Sequence, residues 1–180
     1  MTFCRVRVNV MTDLQSPHYQ EVASASEAVQ AHDFFCRMLT EQFSSTFSAD
    51  AIQAYREKYD RALFEQRVAA QDAVIAAMIL DQQVIGLVIG GAPNGGVASL
   101  DWVVVAPGHQ GQGLGQQLVA GALASYRNRG AHKVVLYTET ESARQFYERC
   151  GMTCEGVHPQ HWWGLTHYCM GVVLGQAGLE

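Results

Sequence analysis

Charge is scarce in this chain. Asp, Glu, Lys and Arg make up only 16% of its 180 residues, and the formal net charge is −5. The 12 lysines and arginines are scattered, so there is no basic stripe of the kind that neutralises nucleic-acid phosphates. The mild acidity suits a cationic small molecule or a basic peptide instead. Long apolar runs are missing too. None approaches the ~20 residues that a membrane helix requires, and MTFCRVRVNVMTD at the N-terminus lacks the hydrophobic stretch of a signal peptide. The five cysteines (Cys4, Cys36, Cys150, Cys154, Cys169) are odd in number and form no C-x-x-C pair. That argues against a disulfide framework and for reduced thiols in a cytoplasmic protein. Repeats, linkers and low-complexity tracts are also lacking. The 48% hydrophobic content fills one core, so the expectation is a single domain over residues 1–180.

The apolar pattern gives the order of elements. CRVRVNV (4–10) alternates as a strand, although 19–23 is an alternative first core strand. Ser24 to Glu27 is a capping box, followed by Val29, Phe34, Phe35, Met38, Leu39 and Phe43 at helical spacing. After Ser48 a second helix carries Ile52, Tyr55, Tyr59, Leu63 and Phe64 on one face. The period then changes. Runs at 72–80 and 83–91 flank Asp81-Gln82 as an antiparallel pair, and 99–106 reads as a fully buried strand stopped by Pro107. A glycine-rich loop opens a helix bearing Leu114, Leu118, Val119, Ala122, Leu123 and Tyr126. A strand at 133–137, a helix closing at Cys150-Gly151 and strands near 153–157 and 165–173 complete an α/β domain with a mixed sheet.

The loop HQGQGLGQQL (109–118) has three glycines in five positions and no lysine or arginine. A P-loop needs a Gly-Lys pair, which the chain lacks. A dinucleotide fingerprint needs a third glycine where Gln116 stands. What remains is Q-G-x-G-x-G between a strand and a helix. Here successive N–H groups and the helix N-terminus converge on one anion without a cationic side chain. A glycine turn that only packs helix on strand is the alternative.

Val105, Pro107, Gln110, Gly111, Gly113 and Gly115 spell V-x-P-x-x-Q-G-x-G-x-G, which resembles motif A of the GNAT superfamily of N-acetyltransferases. Ala143-Arg144-Gln145-Phe146-Tyr147 through Gly151-Met152 resembles that family's A-x-x-F-Y-x-x-x-G-[FM] segment. The resemblance covers the core motifs, about residues 72–155. It implies a GNAT-like, mostly antiparallel mixed sheet with a splayed central strand pair and about four helices. Residues 24–70 and 156–173 would shape the acceptor side. It further implies acetyl-CoA as co-substrate, its pyrophosphate held by amides of Gln110, Gly111, Gln112, Gly113, Leu114, Gly115 and Gln116. The pantetheine arm would lie against backbone groups of Val103 and Val105. Two positions depart from the family pattern: Gln110 stands where arginine is common, and Thr140 where asparagine often contacts the cofactor, so Thr140 either bonds the cofactor or caps the next helix.

Acetyl transfer needs a neutral amine. An alkylamine of pKa roughly 10.4 is neutral about once in 2,500 molecules at pH 7, a cost of about 4–5 kcal/mol, so a base is expected. Asp101, on the strand leading to the loop, is the first candidate, and it shares a face with Val103 and Val105 unless a bulge intervenes. Glu139 is the second. The resemblance makes Tyr147 the hydrogen-bond donor to the departing sulfur; full proton transfer would be uphill by about 2 kcal/mol. The spacing of His158, His161 and His167, with His109 and His132 elsewhere, fits no zinc pattern, and no metal is expected. Trp162 and Trp163 either border the acceptor or close the core. The expected acceptor is a small-molecule amine, with a protein N-terminus open, and the chain is a monomer or homodimer without nucleic-acid or membrane partners. A module that binds acyl-CoA without consuming it is the contrasting reading.

Overall fold

The computed structural model describes residues 16–175; the strand expected over 4–10 lies outside them. The first described strand is β1 (His18–Glu21), at the alternative position. Helix α1 (Ala25–Phe43) follows, opened by the predicted capping box: Ser24 accepts from the Glu27 N–H while Glu27 returns to the Ser24 N–H. Ser48 caps α2 (Ala49–Lys58). The single helix expected after Ser48 is in fact two. Tyr59 leaves helical geometry at φ −106°, ψ 53°, and Asp60 then caps α3 (Arg61–Ala70) by accepting from the Leu63 N–H at 2.8 Å. The apolar stripe ran across this break because both helices face the same core.

The sheet runs in the order β1-β2-β3-β4-β5-β7-β6, with β2 (Ile75–Leu80), β3 (Gln83–Gly90), β4 (Val97–Val105), β5 (Lys133–Thr138), β6 (Thr153–His158) and β7 (His167–Val173). All neighbours are antiparallel except β4 and β5. Asp81 and Gln82 turn β2 into β3 with φ of 48° and 64°, the left-handed pair that matches strand twist in a two-residue hairpin. Both faces of the sheet are covered, which explains the unbroken apolar runs. Ile75 and Ala77 pack with Phe34, Phe35 and Leu39 of α1. Ala76 and Met78 pack with Leu118, Val119 and Ala122 of α4 (Leu114–Asn128).

The parallel pair sets up the site. β4 and β5 are in register only at Val97–Ser99 against Lys133–Val135, and beyond Ser99 they splay apart, as the resemblance implied. For this reason β4 is not the fully buried strand that its run of apolar residues suggested; Trp102, Val103 and Val105 are only partly covered. The alternation also breaks: Ile89 opposes Trp102 but Gly90 opposes Leu100, leaving Asp101 as the extra residue of a bulge. Asp101 therefore does not share a face with Val103 and Val105. Helix α5 (Glu141–Arg149) follows β5. No helix among the described residues is long and apolar enough to cross a membrane.

Candidate active site

The glycine loop divides its labour. Gly111 and Gly113 have φ of 76° and 79°, and a Cβ built on either meets nothing within 4 Å. They supply left-handed backbone that other residues rarely adopt, next to open space. Gly115 serves packing: its Cβ would lie 3.1 Å from Phe146 Cζ. The Gln110 N–H is satisfied by Pro107 O and the Gln117 N–H by Gly113 O, while among the described residues no backbone carbonyl accepts from the N–H groups of 111–116. These six donors at the N-terminus of α4 are what an anion seat built from backbone alone requires.

The Gln110 side chain points elsewhere. Its amide donates to Val105 O at 3.0 Å and to Gln42 Oε1 at 3.1 Å, and Gln42 donates to the same Val105 carbonyl at 2.9 Å. Gln42, on α1, is a site residue that the sequence reading missed; nothing in a helical pattern marks a glutamine that reaches a strand 63 residues away. Ala106 N–H donates to Ile85 O of the β3 side, so by strand alternation the backbone groups of Val103 and Val105 face the gap. The Val105 carbonyl is already taken by the two glutamines, which leaves the Val105 N–H and both Val103 groups. Thr140 caps α5, accepting from the Ala143 N–H at 3.2 Å, and also borders the cavity.

A cavity of 1260 Å³ runs from the glycine loop through the β4–β5 gap to an aromatic mouth. Asp101, Glu139 and Tyr147 all line it. Asp101 is engaged at both oxygens: Arg67 of α3 donates to one at 2.9 Å and Ser99 Oγ to the other at 2.9 Å, while Arg67 also holds Gly90 O at 3.0 Å. The arrangement clamps α3 onto the bulge and leaves this carboxylate poorly placed to take a proton. Glu139 differs. Its Oε1 lies 3.2 Å from Nε2 of His167, which is buried to 1% exposure with its Nδ1 3.3 Å from Leu165 O. Because a carbonyl only accepts, Nδ1 of His167 is the donor to Leu165 O, and Nε2 is turned toward Glu139. The Nε2–Oε1 contact lacks the alignment of a hydrogen bond. Burial pushes the Glu139 carboxyl above the ordinary carboxylate range, and His167 partly offsets this. Burial likewise raises the Tyr147 hydroxyl, with lesser contributions from Cys150 and Glu139, so Tyr147 stays protonated as a donor.

His158 and His161 join Tyr137 and Trp162 in a cluster of edge-on and tilted rings, the His161 and Trp162 centroids only 4.1 Å apart. Among the described residues no three His, Cys, Asp or Glu side chains are arranged to hold a metal ion. Cys36, Cys150, Cys154 and Cys169 are unpaired thiols. Trp162 and Trp163 are half-exposed at the cavity mouth rather than part of the core.

Comparison with known proteins agrees with this geometry. The model of the acetyltransferase (GNAT) family matches residues 33–152. Mycothiol acetyltransferase of Beutenbergia cavernae is 41% identical over 71 residues, 38% of this chain and 24% of that protein, so the chain spans about a quarter of that relative. Among solved structures, the PaiA N-acetyltransferase of Thermoplasma acidophilum, in complex with coenzyme A, superposes with a TM-score of 0.73. The alignment covers 89% of this chain and 100% of that one at 16% identity. YncA of Salmonella typhimurium, solved with its cofactor acetyl-CoA, gives 0.69 over 92% and 98% at 18% identity. At these identities the likeness is one of fold.

Proposed function

The chain belongs to the acetyltransferase (GNAT) family, and on that premise we propose that it moves an acetyl group from acetyl-CoA to the primary amine of a small molecule by direct attack. The observation that carries this reading is the shared cavity: the backbone anion seat, Tyr147 and Glu139 all open onto the space between the splayed strands. The residues fit the co-substrate. A pyrophosphate would sit on the N–H groups of Gly111 to Gln116, with room left by Gly111 and Gly113. A pantetheine arm would follow the free edge of β4 at Val103 and Val105.

Glu139, in this reading, receives the proton of the attacking amine, directly or through one water. A carboxylate raised by burial is better matched to that task than an exposed one. The nitrogen bonds to the acyl carbon, the carbon–sulfur bond breaks with its electron pair left on sulfur, and the Tyr147 hydroxyl hydrogen-bonds the departing thiolate. The Leu165 carbonyl holds the His167 imidazole beside Glu139 in one orientation. The engagement of Asp101 by Arg67 favours a second reading, a module that binds acyl-CoA without consuming it. Incubation with acetyl-CoA and a panel of amines, following free thiol, separates them. Amine-dependent thiol release supports the transferase; calorimetric binding of coenzyme A with no turnover of any amine supports the module.

A further inference from the structure

We infer that the acceptor is a flat, aromatic-bodied amine carrying a single positive charge, bound between the α2 side of the cavity and the β6–β7 loop. This rests on the acetyl-transfer reading and names its substrate class. At the end of the cavity away from the glycine loop the walls are aromatic: Phe43, Tyr55, Trp102, Tyr137, Trp162 and Trp163. The rings are mutually braced. Tyr55 meets Trp102 edge-on at 5.0 Å and Trp163 at 6.1 Å, and Tyr137 meets Trp162 at 5.1 Å. Braced aromatic edges and faces favour a planar guest, because it gains contact without asking the walls to move.

A second observation is conformational. Trp163 sits at φ 59°, ψ 22°, followed by Gly164 at φ 73°. A bulky residue in left-handed backbone is strained, and here the strained residue is a tryptophan left 48% exposed, beside Trp162 at 52%. Each indole leans on neighbours, Trp163 on Tyr55 and Trp162 on His161 and Tyr137, and keeps about half its surface open at the cavity mouth, where a guest would meet it.

Charge then limits the guest. Among the described residues two carboxylates line the cavity; Asp101 is paired with the Arg67 guanidinium, whereas Glu139 has the His167 imidazole beside it. One such carboxylate among aromatic faces seats one ammonium group. The Lys58 ammonium also borders this end, 5.2 Å from the Tyr59 ring, and repels a second positive charge. A polyamine is therefore disfavoured, and an amino sugar, which lacks a planar apolar body, leaves the aromatic faces of Trp162 and Trp163 uncovered.

The test compares 2-phenylethylamine with its saturated counterpart 2-cyclohexylethylamine, with spermidine and with glucosamine. The expected kcat/KM for 2-phenylethylamine is at least tenfold above spermidine and glucosamine and several-fold above the cyclohexyl compound. Trp163→Gly removes the indole and relieves the backbone strain, so folding is preserved. It should raise the KM for 2-phenylethylamine about tenfold and leave that for acetyl-CoA within twofold. Preference for spermidine or glucosamine, or an unchanged KM in Trp163→Gly, overturns the aromatic seat while leaving acetyl transfer standing. Calorimetry with 2-phenylethylamine in the presence of coenzyme A covers the converse. Binding that Trp163→Gly abolishes, without turnover, supports the seat and overturns amine acetylation; no binding and no turnover overturns both.

Discussion

Glu139 and Tyr147 share a cavity wall but are tuned in complementary ways, since burial raises both groups and thereby makes one a better base and keeps the other a donor. Glu139 must be ionised to accept a proton, so kcat/KM should rise with pH through its raised pKa. Glu139→Gln should lower kcat by about 10²-fold or more and erase that rising limb, while coenzyme A binding by calorimetry stays near wild type. The same shift has a sign for stability. A carboxyl whose folded pKa is raised contributes stability that is present below the ordinary carboxylate range and lost as pH rises through the folded value. Thermal melts of Glu139→Gln should accordingly show a gain over wild type at neutral pH that shrinks toward acid. For Tyr147→Phe the expectation is a kcat about tenfold or more lower with little change in coenzyme A affinity, measured by steady-state kinetics beside calorimetry. Tyr147 was picked out in the sequence because its motif is local, and the structure sets it on the cavity wall. The ion pair of Asp101 with Arg67 spans 34 residues, which no local pattern records. His167, met in the sequence as one of several loose histidines, only gains meaning when β7 pairs with β5 and sets it beside Glu139.

Among the elements, the loop-to-helix junction at Gly111–Gln116 carries the cofactor argument. Gly113→Ala forces a Cβ onto left-handed backbone, a cost of about 1 kcal/mol, and shifts the amides of the anion seat. Coenzyme A affinity should fall about tenfold by calorimetry, with a modest drop in melting temperature. Gly115→Ala acts through Phe146 instead. The bulge in β4 is held by a different device, the Arg67–Asp101–Ser99 clamp. Asp101→Asn leaves a largely buried guanidinium short of its charge partner. Because both groups keep some solvent contact, the cost should be about 2 kcal/mol rather than the larger cost of a fully buried pair. Differential scanning calorimetry should record a melting point lower by roughly 4–8 °C, with kcat reduced far less than in Glu139→Gln. Most elements were readable from hydrophobic period and caps. The break at Asp60 was not, because Tyr55, Tyr59, Leu63 and Phe64 keep a helical spacing across it; only the capping geometry of Asp60 separates α2 from α3. The bulge at Asp101 entered the sequence reading only as a condition on where that side chain points, because it is the pairing of β3 with β4 that shows the extra residue.

For the whole molecule, the essential feature is that a sheet covered on both faces opens along one seam. β4 and β5 stay paired for three residues and then part. Helix α4 and its glycine junction lie at one side of the opening, and α1 to α3 with the β6–β7 loop at the other. The sequence announced the first side through two linked motifs. The second side was open in the sequence, where Trp162 and Trp163 either border the acceptor or close the core; the aromatic mouth they form depends on contacts between α2 and a loop about a hundred residues later. The central claim is that acetyl passes across this seam straight to an amine. It is tested most directly by mass spectrometry of a single turnover, with protein in excess over acetyl-CoA and 2-phenylethylamine present. Direct attack predicts acetylated amine and free coenzyme A in equal amounts, with the protein unmodified throughout. An acetyl group appearing on the protein before the amine, or no acetylated amine at all, would contradict it.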